Sequence, residues 1–190
     1  MMSNILYIHG FNSSPQSFKA ERFRQYLEKS AFQVNFICPQ IAPSPREAIA
    51  QLEAIVEKYI EQPLYVVGSS LGGYLSIFLA QKYQLKACLV NPAIRPYELL
   101  ADYIGWQENP YTKEEYRVEQ AHLKDLKAIE QQKIDINRYL VMVQTGDEVL
   151  DYRQAIEKFQ NSQLIVQQGG DHSFENFEAM LPEITRFFQL

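Results

Sequence analysis

The segment Gly68-Ser69-Ser70-Leu71-Gly72-Gly73 constrains this chain more than any other. In front of it, Leu64-Tyr65-Val66-Val67 is a continuous apolar run of strand length. Behind it, Tyr74 to Tyr83 carries apolar residues at helical spacing. A chain that passes from strand to helix in so short a space must bend sharply, and the residue at the bend takes a strained backbone conformation. Small neighbours on both sides of the bend avoid clashes, and G-x-S-x-G supplies them. The Ser70 side chain is then left at the tip, projecting beyond the end of the strand.

Other short apolar runs alternate with amphipathic stretches. Strands are expected at Ile5–Ile8, Val34–Cys38, Leu64–Val67, Ala87–Val90, Tyr139–Val143 and Leu164–Val166. Helices are expected at about 15–29, with Phe18, Phe23 and Leu27 as buried anchors, at about 46–60, capped by Ser44 or its neighbours, and at about 175–188. Continuous apolar strands separated by helices imply an α/β fold: a mainly parallel sheet of six strands with helices on both faces. Ligands bind such sheets at the carboxyl ends of the strands. Residues 1–190 read as a single domain. One insertion breaks the alternation, between strands four and five, from Asn91 to Arg138. It reads as a cap, helical in parts, over about 92–137, with Tyr97, Leu99, Leu100, Tyr103, Ile104 and Trp106 clustered in its first half. The competing reading is a helical excursion on the flank of the sheet.

A serine hydroxyl is a poor nucleophile until a base accepts its proton and an acid orients that base. The chain has three histidines. His9 ends the first strand, before Gly10, and is expected to orient the loop there. His122 falls in a helical pattern within the insertion. His172 lies in Gly169-Gly170-Asp171-His172-Ser173-Phe174, a turn after the last strand, and is the candidate base. The acid should follow a strand between serine and histidine. Asp147, in Gln144-Thr145-Gly146-Asp147, meets that demand. Glu148 and Asp151 are its rivals, and their other reading is charge at a helix N-terminus. Asp171 reads as structural. Two backbone N–H groups should stabilise a developing oxyanion: that of Leu71, after the serine, and that of Phe11, after the first strand.

A formal net charge of −5 without a basic run argues against nucleic acid as partner. No apolar segment is long enough to cross a bilayer, and no leader is evident at the N-terminus. Cys38 and Cys88 read as buried, reduced thiols, in keeping with a cytoplasmic setting. No metal-ligand spacing and no nucleotide-binding glycine motif occurs, so no metal or cofactor is expected. Nothing in the sequence fixes the oligomeric state.

The chain resembles the α/β-hydrolase superfamily and, within it, the YqiA-type small bacterial esterases. The resemblance rests on Tyr7-Ile8-His9-Gly10-Phe11-Asn12-Ser13-Ser14-Pro15, Gly68-Ser69-Ser70-Leu71-Gly72-Gly73-Tyr74, Asn91-Pro92-Ala93, Gln144 to Tyr152 and Gly169 to Phe174. It implies a serine esterase acting on small-molecule acyl esters, or on acyl-CoA thioesters, in a bacterial cytosol. It assigns Ser70, Asp147 and His172 to nucleophile, acid and base, as the residues themselves do. The chain departs from the general superfamily pattern at one point: no room is left before Ile5 for the antiparallel strands that usually open the sheet, so a sheet shortened to six strands is expected, with the carboxyl edge intact. Tyr97, Leu100, Tyr103 and Trp106 would then line an acyl pocket; their other reading is packing of cap on sheet. Arg95 would meet a phosphate or, alternatively, form a surface ion pair. The reading from another class is a non-catalytic binding protein on the same scaffold.

Overall fold

The fold is given by a computed structural model, which describes residues 2–190; Met1, part of the expected domain span, lies outside the described residues. The chain opens with β1 (Ser3–Ile8), α1 (Phe18–Lys29), β2 (Val34–Ile37), α2 (Pro45–Tyr59), β3 (Leu64–Ser70), α3 (Leu71–Tyr83) and β4 (Lys86–Pro92). The insertion follows: a single turn α4 (Pro96–Leu99), a hairpin of β5 (Gly105–Glu108) and β6 (Glu115–Val118), and α5 (Gln120–Ala128). The chain closes with β7 (Tyr139–Gln144), α6 (Tyr152–Lys158), β8 (Gln163–Gln167) and α7 (Leu181–Phe188).

Six strands form one sheet in the order β2-β1-β3-β4-β7-β8, and every neighbouring pair is parallel. Successive strand side chains point to opposite faces, so each central strand feeds two cores. Leu6, Ile8, Val66, Leu89 and Val141 meet Leu52 and Val56 of α2 and Leu75 and Leu79 of α3 on one face. Ile5, Tyr7, Val67, Cys88 and Met142 meet Phe23 and Leu27 of α1 and Ile184 and Phe188 of α7 on the other. Phe188 also stacks on Tyr65, ring centroids 4.6 Å apart. Each such fully buried side chain contributes about 1.5–3 kcal/mol. The architecture is the expected one, a parallel sheet of six strands with helices on both faces.

Three local departures from the sequence reading have physical causes. Phe18 is exposed, with the Arg22 guanidinium 5.1 Å from its ring centre. It opens α1 and lies off the buried stripe of Ala20, Phe23 and Leu27. The last helix starts at Leu181; the expected stretch before it contains a 3-10 turn, Phe177–Met180, because the Pro182 ring bars a continuous helix through that point. The short α6 carries too little periodic pattern to be read in advance.

The insertion is helical in part and carries the β5–β6 hairpin besides, with Gly105 opposite Val118 and Glu108 opposite Glu115. Its turn is closed by Asn109, whose side-chain oxygen accepts from the N–H groups of Tyr111 (2.9 Å) and Thr112 (3.2 Å).

Candidate active site

Ser70 sits where β3 turns into α3, with φ 55° and ψ −121°. Such a conformation costs about 1–3 kcal/mol and persists only where the surroundings enforce it. They do so by close packing. A Cβ on Gly68 would strike the Gly72 carbonyl and the Ser76 hydroxyl, and one on Gly72 would strike the carbonyl oxygens of Ile8 and His9. The two outer glycines of the motif therefore let α3 approach the end of β1 and hold the bend in place.

Three side chains meet there. His172 Nε2 lies 3.2 Å from Ser70 Oγ, and His172 Nδ1 lies 3.0 and 2.9 Å from the two Asp147 carboxylate oxygens. The Asp147 side chain is 1% exposed and also accepts from the N–H groups of Val149 (2.9 Å) and Leu150 (2.8 Å). Burial pushes the Asp147 carboxyl up, but the His172 hydrogen bond, the two backbone donors and the imidazole's charge outweigh it and hold it below its ordinary value. An ionised Asp147 can only accept, so the imidazole proton belongs on Nδ1. That leaves the Nε2 lone pair to accept from the Ser70 hydroxyl.

The turn carrying His172 is held by polar residues that the sequence reading did not assign a role. Asn91, buried at the end of β4 with φ 39°, donates to the carbonyls of Asp171 (3.0 Å) and His172 (3.2 Å) and accepts from the Gln144 N–H (3.0 Å). The buried Gln144 side chain accepts from the N–H groups of Asp171 (3.1 Å) and Glu175 (2.8 Å) and donates to the Glu175 carbonyl (2.8 Å). Of the rivals to Asp147, Glu148 accepts from the His172 backbone N–H (3.0 Å), and Asp151 caps α6 by accepting from Arg153 N–H (3.0 Å). Neither meets the imidazole. In the sequence Asn91 and Gln144 read as ordinary polar residues at strand ends; buried there, each amide needs the partners it has.

The chain leaving β1 runs against Ser70. A Cβ on Gly10 would lie 3.2 Å from Ser70 Cβ. The N–H groups of Phe11 and Leu71 have no acceptor among the described residues. His9 holds this loop as expected: its Nδ1 bonds the Gly10 carbonyl (3.0 Å) and its Nε2 accepts from the Ile41 N–H (3.1 Å). The insertion holds it from the other side. Tyr116 Oη donates to Asn12 (2.5 Å), Asn109 donates to the Ser13 carbonyl (3.0 Å), and the Phe11 ring packs edge-on against Tyr103 at 5.5 Å.

Burial pushes the His9 imidazole below its ordinary value of 6.5, with the Gly10 carbonyl pulling the other way. The folded protein thus refuses a proton that the unfolded chain accepts. Stability is full above the ordinary value and falls as pH drops through it towards the folded one. Melting temperatures at neutral and mildly acidic pH should show a larger acid loss in the wild type than in His9→Gln. Equal losses would mean that another group governs this range.

Ser70 and His172 border two cavities. An apolar one of about 310 Å³ is lined by Leu71, Pro96, Leu99, Leu100, Tyr103 and Leu150. A polar one of about 420 Å³ opens on the α1 side. Leu100 and Tyr103 line the apolar cavity. Tyr97 and Trp106 do not line either cavity, which corrects their expected place. Tyr97 donates to Glu130 (3.1 Å) and stacks under Lys127, while Trp106 is 73% exposed on the outer face of the hairpin. Alternation along β5 turns Trp106 outward. Arg95 pairs with Glu98 at 3.7 Å on the surface. Among the described residues no cluster of His, Cys, Asp or Glu is arranged to hold a metal, and no helix is long and apolar enough to cross a membrane.

Comparison with known proteins fits this geometry. The chain is similar in fold to alpha/beta hydrolase domain-containing protein 10 from mouse (TM-score 0.75, 18% identity, covering 98% of this chain and 89% of that one). It is likewise similar to Est1E from Butyrivibrio proteoclasticus (0.73, 14%, covering 99% and 87%) and a monoacylglycerol lipase from Paleococcus ferrophilus (0.71, 15%, covering 97% and 93%). In sequence it is 22% identical over 185 residues to a UPF0227 protein of Citrobacter koseri, covering 96% of this chain and 97% of that relative. It is 22% identical over the same length, with the same coverage, to the UPF0227 protein YcfP of Escherichia coli. The profile described as uncharacterised protein family UPF0227 matches residues 4–189, nearly the whole sheet and every residue of the site just described, and the chain therefore belongs to that family.

Proposed function

We propose that this protein is a serine esterase that hydrolyses carboxylic acyl esters through an acyl-enzyme. The observation that carries the reading is the unbroken line of hydrogen bonds from Asp147 through His172 to Ser70, ending at a strained bend. Ser70 Oγ attacks the ester carbonyl while His172 Nε2 takes its proton. The oxyanion that forms is held by the free N–H groups of Phe11 and Leu71. His172 then protonates the departing alcohol, and a water activated by the same nitrogen releases the acid. Asp147 stays ionised throughout and stabilises the imidazolium.

The apolar cavity beside Leu100 and Tyr103 suits the acyl group. The names of proteins with similar folds, an esterase domain from Rhodothermus marinus and a monoacylglycerol lipase among them, support the same chemistry. A binding protein on this scaffold would have no use for an oriented proton relay. No cofactor enters the mechanism. Cys88 is buried, and burial, with Glu21 nearby, pushes the half-buried Cys38 thiol up to about 12. Both suit unreactive thiols in a reducing cytosol.

The test is covalent labelling by a fluorophosphonate probe, with the adduct mapped by mass spectrometry, followed by p-nitrophenyl esters and acyl-CoA thioesters of matched chain length. Labelling at Ser70 with faster turnover of the oxygen esters is expected. No labelling would refute the serine mechanism, and faster thioester turnover would move the activity to thioesterase.

A further inference from the structure

The esterase mechanism uses the apolar cavity and leaves the polar cleft on the α1 side without a task. That cleft is lined by Tyr7, Ser17, Lys19 and Ser69, and it opens onto Ser70 and His172. Lys19, in the first turn of α1, donates one hydrogen bond from Nζ to the Ser173 carbonyl (2.9 Å). Among the described residues it closes no ion pair, although Asp171 and Asp147 supply a negative field around it. Burial pushes its ammonium down to about 8, with Asp171 and Asp147 pulling the other way, so it is still mostly charged at neutral pH.

The hydroxyls around it are also unused. Tyr7 is fully buried in β1 beside the Ser69 side chain, and its Oη makes no hydrogen bond of good geometry among the described residues. Burial pushes the phenol pKa far up, so it remains a donor. Ser17 stands at the N-cap of α1 and makes no capping bond. Buried donors in folded proteins are satisfied, and one left open beside a cavity calls for an acceptor in that cavity. A protonated amine and inward-facing hydroxyls together ask for an oxyanion.

We infer that this cleft is an oxyanion subsite, and that the substrate is an ester carrying a carboxylate or phosphate that Lys19 receives while its apolar arm enters the cavity of Leu100 and Tyr103. The inference rests on Ser70 being the nucleophile. Lys19 is then a determinant of specificity: it sorts esters by charge, and the two cavities sort the two ends of one molecule on either side of the scissile bond.

The experiment compares 4-(valeryloxy)benzoate, which carries its carboxylate on the leaving-group side, with 4-(valeryloxy)benzamide, its neutral match, and adds 4-(valeryloxy)phenyl phosphate to distinguish phosphate from carboxylate. In Lys19→Met the anionic-to-neutral ratio of kcat/KM should fall about tenfold or more, while Lys19→Arg keeps most of it. The wild-type preference should weaken as salt is raised. Tyr7→Phe, which removes the hydroxyl beside Ser69, should lower the same ratio about threefold.

If Lys19→Met slows both esters by one factor, Lys19 only ties the Ser173 carbonyl and the subsite is refuted. A wild type that prefers the neutral ester refutes it too. Dissociation constants of the same esters for Ser70→Ala, with and without Lys19→Met, separate the two claims. Failure of fluorophosphonate labelling would remove the serine mechanism, whereas equal 4-(valeryloxy)benzoate affinity in both variants would remove the subsite.

Discussion

Ser70→Ala should lower kcat for any ester the protein turns over by about a millionfold, with the fold unchanged. Alanine carries the same Cβ, so it meets the φ of 55° with the same strain as serine. The Ser70 side chain bonds only His172 among the described residues, so no core contact is lost with it. What survives should be the rate that the Phe11 and Leu71 N–H groups supply to a water attacking in place of the hydroxyl, about a thousandfold above the uncatalysed reaction. Initial rates on a p-nitrophenyl ester, with the melting temperature as control, measure both. A variant keeping a tenth of wild-type activity would exclude Ser70 as nucleophile.

Asp147→Asn should cost about 10⁴ in kcat while changing hardly an atom position. Both backbone donors, Val149 and Leu150, aim at the same carboxylate oxygen, Oδ1. An asparagine must put its carbonyl oxygen there and turn its NH₂ towards His172 Nδ1. The imidazole then accepts on Nδ1 and carries its proton on Nε2, where it faces Ser70 Oγ as a second donor. The base is present but holds the wrong tautomer. Glu148→Gln, which touches only the His172 backbone N–H, should lose far less. If the two variants lose alike, the negative charge of the loop matters and the orientation of the ring does not.

The sheet was legible in the sequence because its strands are apolar without interruption and each is followed by a helical period. The bend at Ser70 was legible because only glycine fits against the Ile8 and Gly72 carbonyls. Asp147 and His172 could be placed by chain order and by their position after strands. The support around them could not. Asn91 and Gln144 look like ordinary polar residues closing ordinary strands; that both are buried and bonded to one distant turn is a property of register, set by β4 lying between β3 and β7. The hairpin did leave a trace. Gln107, Tyr116 and Val118 alternate with Trp106, Glu108, Glu115 and Arg117 around an Asn-Pro turn, a period-two signal that is easily lost in a charged, tyrosine-rich stretch. The aromatic cluster in the same stretch divides accordingly: a 3-10 turn, Leu100–Tyr103, faces the cavity, while the strand sends Trp106 outward.

The clasp of Tyr116 on Asn12 and of Asn109 on Ser13 gives the insertion a duty apart from lining the cavity. The segment that would shield the substrate also braces, from outside, the short length of chain whose Phe11 amide would receive the negative oxygen. Shelter and charge stabilisation are then mechanically one body. Trimming the hairpin to widen the entrance would slacken an amide several residues away in space, so a roomier mouth and an intact reaction centre could not be had together by that cut.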